Sequence, residues 1–191
     1  IELDVNDLAS EEAALSDPLA FDVLVNNAGF EVEAAIEQVD DALMWQQLDT
    51  NVLGPLRTMR AVLPAWKERG SGVIINVSSI AGRVGAPYTG AYSASKFALE
   101  ALSESLNFEV SQLGIRVHLI EPGRFTTSFG ENKIRPDSWE GSPQQQRALA
   151  FREASHGMGG QGEPADPQDV AEAIVGAVTD PATPFRNLVG D

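Results

Sequence analysis

The chain of 191 residues has no cysteine, which excludes disulfides, zinc–thiolate sites and cysteine nucleophiles. Positive charge is also scarce, because 13 lysines and arginines stand against 28 aspartates and glutamates and leave a net charge of −15. Such a chain matches phosphate backbones and anionic membranes poorly, so we expect neither nucleic acid nor a membrane among its partners. No apolar run approaches the roughly 20 residues of a membrane helix, and we expect a cytoplasmic protein.

Histidine is also rare, with only His118 and His156 in the chain. Neither has partners at metal-ligand spacing, so we expect no metal site. His118 falls within a predicted strand and is expected to be a packed or edge residue. His156 falls in a polar stretch and is expected to be exposed to solvent, with contact to a substrate as the alternative.

Short apolar runs predict a parallel sheet. They are rich in Val, Ile and Leu and nearly continuous, as in strands that helices cover on both faces. Three runs are clear, at 21–27, 72–79 and 115–123, and two weaker candidates are 1–5 and 186–190.

Helical segments lie between these runs. The stretch 40–69 predicts a long helix that is broken or kinked near Gly54 and Pro55, and 92–112 predicts a second helix. A third begins at Asp166, because aspartate suits an N-cap and the following Pro167 suits the first helical position. Strands that alternate with helices indicate an open α/β sheet.

Polar residues or glycines stand at the carboxyl end of each predicted strand. Ligands of open α/β sheets bind outside the carboxyl ends of the strands, so these residues are candidates for a site. Each one alone is also an ordinary turn former. They are Asp4, Asn26 to Gly29, Ser78 and Ser79, and Pro122 and Gly123.

Tyr92 and Lys96 stand four residues apart near the start of the second helix and share one of its faces. A cation close to a phenol favours the phenolate, so we expect Lys96 to lower the pKa of Tyr92. A tyrosine tuned in this way can exchange a proton with an alcohol or ketone oxygen. Ser79, thirteen residues earlier, could hydrogen-bond the same oxygen. The alternative is a surface pair without a role.

These motifs strongly resemble those of the short-chain dehydrogenase/reductase family. The shared segments are "NNAG", "NVLG", "INVSS", "YSASK" and "EPGRFTT", in family order and at family spacing. The resemblance implies hydride transfer between NAD(P)(H) and an alcohol or carbonyl compound. It assigns Tyr92 as the acid/base, Ser79 as a stabiliser of the substrate oxygen, and Lys96 as a ligand of the nicotinamide ribose. Asn51 would hold a water in a proton relay.

Pro55 supports the role of Asn51 on chemical grounds. Proline has no N–H, so in a continuous helix the carbonyl of Asn51, four residues earlier, would be left free to accept a hydrogen bond from water. The alternative is a simple helix kink at Gly54 and Pro55.

The resemblance also implies contacts to the cofactor, NAD or NADP. Asp4 and Val5 would contact the adenine, and Asn27, Ala28 and Gly29 its ribose. The nicotinamide would lie against Pro122, Gly123, Phe125 and Thr127. The segment 128–165 corresponds to the family's variable substrate loop and is predicted to hold one or two short helices. Its aromatic residues favour an apolar substrate such as a steroid or retinoid, although anchoring of the loop explains them equally well.

The expected fold is one doubly wound, Rossmann-like domain over residues 1–191, with a mostly parallel sheet and helices on both faces. The family's glycine-rich TGxxxGxG turn, which binds the pyrophosphate at a helix N-terminus, is not found in the sequence. Two βα units of about 30 residues each would carry it, so the domain is expected to be incomplete at its N-terminus. Without those strands, the run at 21–27 would be a bare apolar edge.

Two other functions stay open. The chain could be a catalytically inactive fragment or relative that acts as a binding or assembly partner, or an epimerase or dehydratase acting on a nucleotide sugar. The short region after Gly123 leaves little room for the substrate domain of the last class. The resemblance further implies a homodimer or homotetramer, formed through the helices that hold Asn51 and Tyr92.

A chain of these 191 residues alone is expected to bind the cofactor weakly or not at all and to show no turnover, because it lacks the pyrophosphate turn. The measurement is NAD(P)H oxidation by a preparation whose intact mass is verified. Measurable oxidation would contradict the expectation.

Overall fold

A parallel four-stranded sheet forms the centre of the molecule, for which a computed structural model describes residues 3–125, 127–155 and 166–190. The strands are β1 (Val23–Asn26), β2 (Gly72–Val77), β3 (Ile115–Pro122) and β4 (Arg186–Val189). They lie in the order β1-β2-β3-β4, and every neighbouring pair is parallel. The structure confirms the predicted α/β class and the four strands after residue 20.

Six α-helices connect the strands in the described parts of the chain. They are α1 (Leu8–Ala14), α2 (Asp41–Leu48), α3 (Gly54–Arg69), α4 (Gly90–Val110), α5 (Pro143–Ser155) and α6 (Pro167–Thr179). The helix α1 is not among the helices predicted from the sequence. The predicted N-cap of α6 is confirmed, since the Asp166 side chain accepts a hydrogen bond from the backbone N–H of Gln168.

The alternation of side chains along β2 divides the core into two layers. Ile74 faces α3 and α4 and packs in a cluster that includes Trp66 and Val110. Val73 and Ile75 face the opposite side and pack against α6. Helices on both faces of a parallel sheet are the doubly wound arrangement that the sequence predicted.

The prediction of a strand at 1–5 was wrong for the part that the structure describes. Leu3 and Asp4 have no regular structure, and Val5 and Asn6 form a turn. Residues 1 and 2 lie outside the described part. A strand needs a neighbour for its backbone groups, and no described strand lies beside this segment. β1 is the outer strand of the described sheet, and its Val25 is 40% exposed.

The predicted helix over 40–69 is interrupted slightly earlier than expected. A π-helical stretch, Asp49–Leu53, separates α2 from α3. The N–H of Gly54 accordingly bonds the carbonyl of Asp49, five residues back. Pro55 then falls in the first turn of α3, where proline's missing N–H is tolerated.

Two glycines lie in contact at the amino-terminal end of the sheet. Gly70 ends α3 and Gly114 follows α4, with φ angles of 71° and 75°. A Cβ on Gly114 would overlap the carbonyl oxygen of Gly70. The loops before β2 and β3 therefore touch backbone to backbone.

A chain of buried polar side chains crosses the core. The amide of Asn26 donates to Asn76 Oδ1 at 2.8 Å, and the amide of Asn76 donates to Ser103 Oγ at 2.8 Å. Thr58 Oγ1 donates to Asn26 Oδ1 at 2.7 Å. These hydrogen bonds connect β1 and β2 with α3 and α4. Each polar group has a hydrogen-bond partner, which compensates the cost of burying it.

Asn76→Ala is expected to lower the free energy of unfolding by about 2 to 4 kcal/mol, because it leaves the buried amide of Asn26 and hydroxyl of Ser103 without their partner. Urea unfolding measures the change. The exposed Asn132→Ala is the control, and an equal loss in both variants would contradict the assignment.

Candidate active site

A cavity of about 1080 Å³ opens at the carboxyl ends of β1, β2 and β3. This is the edge of the sheet at which the sequence predicted a site. Nine of the predicted site residues line it: Asn27, Gly29, Ser79, Tyr92, Lys96, Pro122, Gly123, Phe125 and Thr127.

The phenol of Tyr92 lies on this cavity because α4 begins at Gly90, two residues before it. Small neighbours such as Ala91 and Ser93 let the first turn of α4 pack closely, and both are buried. Tyr92 is 7% exposed, and its ring lies 5.6 Å, centroid to centroid, from the ring of Phe129. Lys96 Nζ lies 5.8 Å from the centre of the Tyr92 ring. The predicted pair therefore shares one face of the helix.

The expected lowering of the Tyr92 pKa is not observed. Burial raises the pKa of Tyr92 to about 12, and the Glu31 carboxylate adds to the rise. A hydrogen bond to Ser79 acts in the opposite direction. Burial outweighs the hydrogen bond from Ser79, so the pKa stays above its ordinary value and the phenol holds its proton at neutral pH.

Lys96 is almost fully buried at 5% exposure. Its Nζ donates to the carbonyl of Val77, the last residue of β2, at 2.8 Å. Burial lowers the pKa of Lys96 from its ordinary 10.5 to about 8, while Glu100, one turn further along α4, raises it. An ammonium has three donors, so two remain for other acceptors.

Asn51 lies behind the cavity and is fully buried. Its amide donates to the carbonyl of Phe30 at 3.0 Å and to Ser95 Oγ at 3.0 Å, and its Oδ1 accepts from the N–H of Phe30 at 3.2 Å. The side chain thus fixes the loop after β1 against α4. The π-helical stretch places Asn51 here, since it re-aims the side chains between α2 and α3.

Three predicted cofactor contacts lie outside this cavity lining. Asp4 is exposed, and its carboxylate accepts from the N–H of Asn6 at 2.9 Å. The carbonyl of Val5 accepts from Arg57 at 3.1 Å. Ala28 is exposed at the end of β1. The structure does not bring these residues together with Tyr92 and Ser79.

A charged cluster on the same cavity was missed by the sequence analysis. Lys133 Nζ lies 3.0 Å from Glu31 Oε1 and 3.6 Å from Glu33 Oε1. Arg135 Nη2 lies 2.7 Å from Glu33 Oε2, and Arg152 also contacts Glu33. The sequence holds one signal for this pairing. In "EVE" (31–33) two acidic residues flank an apolar one, and in "KIR" (133–135) two basic residues flank an apolar one, so the two segments have complementary charges.

The cluster attaches the segment after residue 127 to the loop after β1. Val32 and Ile134 form a parallel bridge between the same two segments. Trp139 is buried and packs edge to face against Tyr88 at 6.0 Å. The expected short helices are a 3₁₀ turn, Ser128–Gly130, and α5. Met158 and His156 of the predicted loop lie outside the described residues.

His118 is packed within β3, as predicted, and is 3% exposed. Its Nδ1 lies 3.0 Å from the carbonyl of Pro184, and burial lowers its pKa. Across the described ranges, no helix is both long and apolar enough to cross a membrane. The same ranges hold no cluster of His, Asp and Glu that could bind a metal ion.

The parallel sheet with helices on both of its faces defines a Rossmann-like protein, and a tyrosine, a lysine and a serine line one cavity at the carboxyl edge of its sheet. The family model described as short chain dehydrogenase matches residues 1–138. The chain therefore belongs to the short chain dehydrogenase family.

Curated relatives agree with this assignment. A 3-ketodihydrosphingosine reductase of Bacteroides thetaiotaomicron is 36% identical over 183 residues, which cover 94% of this chain and 66% of that protein. Retinol dehydrogenase 8 of Homo sapiens is 37% identical over 174 residues, which cover 86% of this chain and 55% of that protein. The chain thus spans between about half and two thirds of these two relatives.

Solved structures share the fold. A short-chain dehydrogenase from Streptomyces avermitilis matches with a TM-score of 0.84 at 38% identity, covering 100% of this chain and 70% of that one. A short chain dehydrogenase from Burkholderia cenocepacia, solved in complex with NADP, matches with a TM-score of 0.75 at 25% identity, covering 100% and 68%.

Stability is expected to depend on pH through Lys96. Below about pH 8 the lysine is charged in the folded and the unfolded chain, so the folded chain carries the full penalty of burying that charge. Between about pH 8 and 10.5 the folded chain loses the proton first, and stability rises. Relative to Lys96→Met, the parent chain should gain about 2 to 3 kcal/mol between pH 7 and pH 10.

Urea unfolding at several pH values measures this difference. Lys67→Met, on the exposed side of α3, is the control variant. The assignment fails if the Lys96→Met difference does not change with pH, or if Lys67→Met shows the same gain.

Proposed function

We propose that the protein is an NAD(P)-dependent oxidoreductase that transfers a hydride between the cofactor and a secondary alcohol or carbonyl compound, with Tyr92 as acid/base. The observation that carries the proposal is the convergence of three groups on one cavity: the phenol of Tyr92, the hydroxyl of Ser79 and the ammonium of Lys96. The resemblance to dehydrogenases, including one solved with NADP, supports the cofactor.

The residues of the cavity fit a nicotinamide cofactor. Two donors of Lys96 are left after its bond to Val77, and ribose hydroxyls are suitable acceptors for them. Gly29 lies close by, and a Cβ there would come within 3.1 Å of Asn51 Oδ1 and 3.8 Å of Lys96 Nζ. The absence of a side chain keeps this approach to the lysine open. Further residues that would hold the group are Asn27, Pro122, Gly123, Phe125 and Thr127.

When bound, the nicotinamide supplies or accepts the hydride. Tyr92 handles the proton: it is protonated at neutral pH, so it can donate to the oxygen of a carbonyl substrate as negative charge develops there. Ser79 donates a hydrogen bond to the same oxygen. Lys96, charged below about pH 8, stabilises the phenolate that remains.

In this scheme Asn51 positions its neighbours and does not touch the substrate. Its side chain fixes the backbone of Phe30 and the hydroxyl of Ser95, and Ser95 Oγ in turn donates to the carbonyl of Tyr92 at 2.7 Å. This chain of bonds holds the first turn of α4 in register with the loop after β1. The proposed function also includes a proton relay, in which the backbone carbonyl of Asn51 holds a water.

Phe129 favours a substrate that carries an apolar group beside its reacting carbon. Its ring packs against Tyr92 and lines the cavity together with Val170 and Ile174 of α6. An aromatic or aliphatic substituent of the substrate would cover this wall.

Tyr92→Phe removes the proton donor and leaves the ring packed. We expect kcat to fall about 100-fold to 10,000-fold with little change in the unfolding midpoint. The loss is measured in a protein in which a segment with the glycine-rich pyrophosphate turn precedes the 191 residues, because these residues alone are expected to show no turnover. The assay follows NADP-linked turnover of a panel of ketones and secondary alcohols by the absorbance of the reduced nicotinamide.

Tyr88→Phe is the matched control, since Tyr88 is the other tyrosine of the chain and packs on Trp139. It should keep its activity. In that longer protein, equal and measurable activities of Tyr92→Phe and its parent would disprove the role of the phenol, and no turnover by either would favour a binding function without catalysis.

A further inference from the structure

The carboxylate of Glu31 is a polar group of the cavity to which the proposed function gives no role. Glu31 lines the cavity together with Ser79, Tyr92 and Phe129, and it is 6% exposed. One of its oxygens, Oε1, lies 3.0 Å from Lys133 Nζ. The other, Oε2, accepts no hydrogen bond within the described part of the chain and is not sealed inside the protein. Glu31 therefore offers an open acceptor to a ligand in the cavity, since buried polar groups are normally hydrogen-bonded.

The backbone on both sides of Glu31 is fixed. The carbonyl of Glu31 accepts from the N–H of Ile134 at 3.0 Å, and the N–H of Glu33 donates to the carbonyl of Ile134 at 3.0 Å. On the other side, the side chain of Asn51 bonds both backbone groups of Phe30. A carboxylate on a fixed backbone loses little further freedom when it binds a ligand, so its position favours recognition.

Lys133 decides which kind of donor suits the open oxygen. Its ammonium already compensates the charge of Glu31, while the neighbouring Glu33 is paired with Arg135 at 2.7 Å. A cationic donor on Oε2 would lie beside Lys133, and like charges that are held close together are unfavourable. A neutral hydroxyl avoids this repulsion and still forms a hydrogen bond to a charged acceptor, which is stronger than a bond between neutral groups. The charges around Glu31 therefore favour a hydroxyl over an ammonium.

The location of Glu31 places such a hydroxyl close to the reacting carbonyl. Glu31 and Tyr92 line the same cavity, and the Glu31 carboxylate adds to the rise of the Tyr92 pKa. Because Coulomb interactions weaken with distance, this effect indicates that the carboxylate and the phenol are near each other. Only a few bonds can then separate a hydroxyl on Glu31 from a carbonyl on Tyr92.

We propose that the substrate is a hydroxyketone whose carbonyl lies at Tyr92 and whose hydroxyl donates a hydrogen bond to Glu31 Oε2. The inference rests on the proposed function, because it assumes that Tyr92 marks the reacting carbonyl. It narrows the apolar substrate expected from the aromatic residues of 128–165. An apolar group still covers Phe129, whose ring packs on Tyr92, and a neutral hydroxyl is added near the carbonyl. In the direction of oxidation, the substrate is the corresponding diol.

The test compares two ketones of the same shape, 2-hydroxy-1-phenylethanone and 1-phenylpropan-1-one, which carry a hydroxyl and a methyl group at the same position. A third probe, 2-amino-1-phenylethanone, carries an ammonium there. Affinity is measured by ligand-observed NMR titration on the longer protein of the Tyr92→Phe experiment, loaded with oxidised NADP so that no ketone is reduced during the titration. The kcat/KM of each probe is measured separately with the reduced cofactor.

The parent should bind the hydroxyketone about 10-fold to 100-fold more tightly than 1-phenylpropan-1-one, and the aminoketone no more tightly than 1-phenylpropan-1-one. Glu31→Met removes the acceptor and keeps the length of the side chain, so it should lose the preference while the affinity for 1-phenylpropan-1-one stays unchanged. Glu31→Gln keeps an uncharged acceptor and should retain part of the preference. Glu131→Met is the matched control, because Glu131 is exposed on the same segment as Lys133 and does not line the cavity. It should keep the full preference.

Equal affinity of the parent for the two ketones, binding of neither, or a preference that survives in Glu31→Met would overturn the proposal. Tightest binding of the aminoketone would overturn it as well, in favour of a cationic substrate. If Glu31→Met also weakens the binding of 1-phenylpropan-1-one, Glu31→Gln decides: a reduced preference supports the proposal and an unchanged one overturns it.

The same measurements separate this inference from the proposed function. A preference for the hydroxyketone that depends on Glu31, without turnover of any probe by the parent, would support the hydroxyl site and count against the proposed function. Turnover that depends on Tyr92, without a preference for the hydroxyketone, would support the proposed function and overturn the hydroxyl site.

Discussion

The hydrogen bond from Lys96 to the carbonyl of Val77 is the contact on which the site depends. It joins the first turns of α4 to the last residue of β2, and two residues beyond Val77 the chain reaches Ser79. A helix and a strand that are joined at this point bring a phenol, an ammonium and a hydroxyl to one wall. The burial that makes the bond strong also moves the pKa values of Tyr92 and Lys96 away from their ordinary values, upward for the phenol and downward for the amine.

Much of this arrangement could be predicted from the sequence, because its signals are local. Continuous apolar runs located β1, β2 and β3, and the spacing of Tyr92 and Lys96 placed both on one helix face. The strand predicted at 1–5 failed for Leu3 to Val5 because strand formation depends on a neighbour, which a short apolar run does not reveal. The predicted direction of the Tyr92 pKa shift was also wrong, since burial raises the pKa and the spacing of Tyr92 and Lys96 does not reveal burial.

The ion pairs around Glu33 could not be predicted from local sequence patterns either. Their partners are separated by about a hundred residues, as in the bond from Arg135 to Glu33, and no local spacing connects them. A buried carboxylate needs compensation, so Glu33 fixes where Lys133 and Arg135 lie. The cavity wall formed by the segment after residue 127 is therefore positioned by ion pairs between distant parts of the chain, whereas the wall that holds Ser79, Tyr92 and Lys96 is built by local sequence motifs.

The contact between Gly70 and Gly114 gives the two ends of the sheet different evolutionary freedom. At the amino-terminal end, two turns press backbone against backbone, and one added residue in either turn would force α3 or α4 away from the sheet. At the opposite end, the segment after Pro122 runs for more than forty residues before α6 begins. Added residues are best accommodated in the exposed stretches of this segment, between buried residues such as Trp139. A change of chain length is therefore better tolerated at the cavity rim than at the amino-terminal end of the sheet.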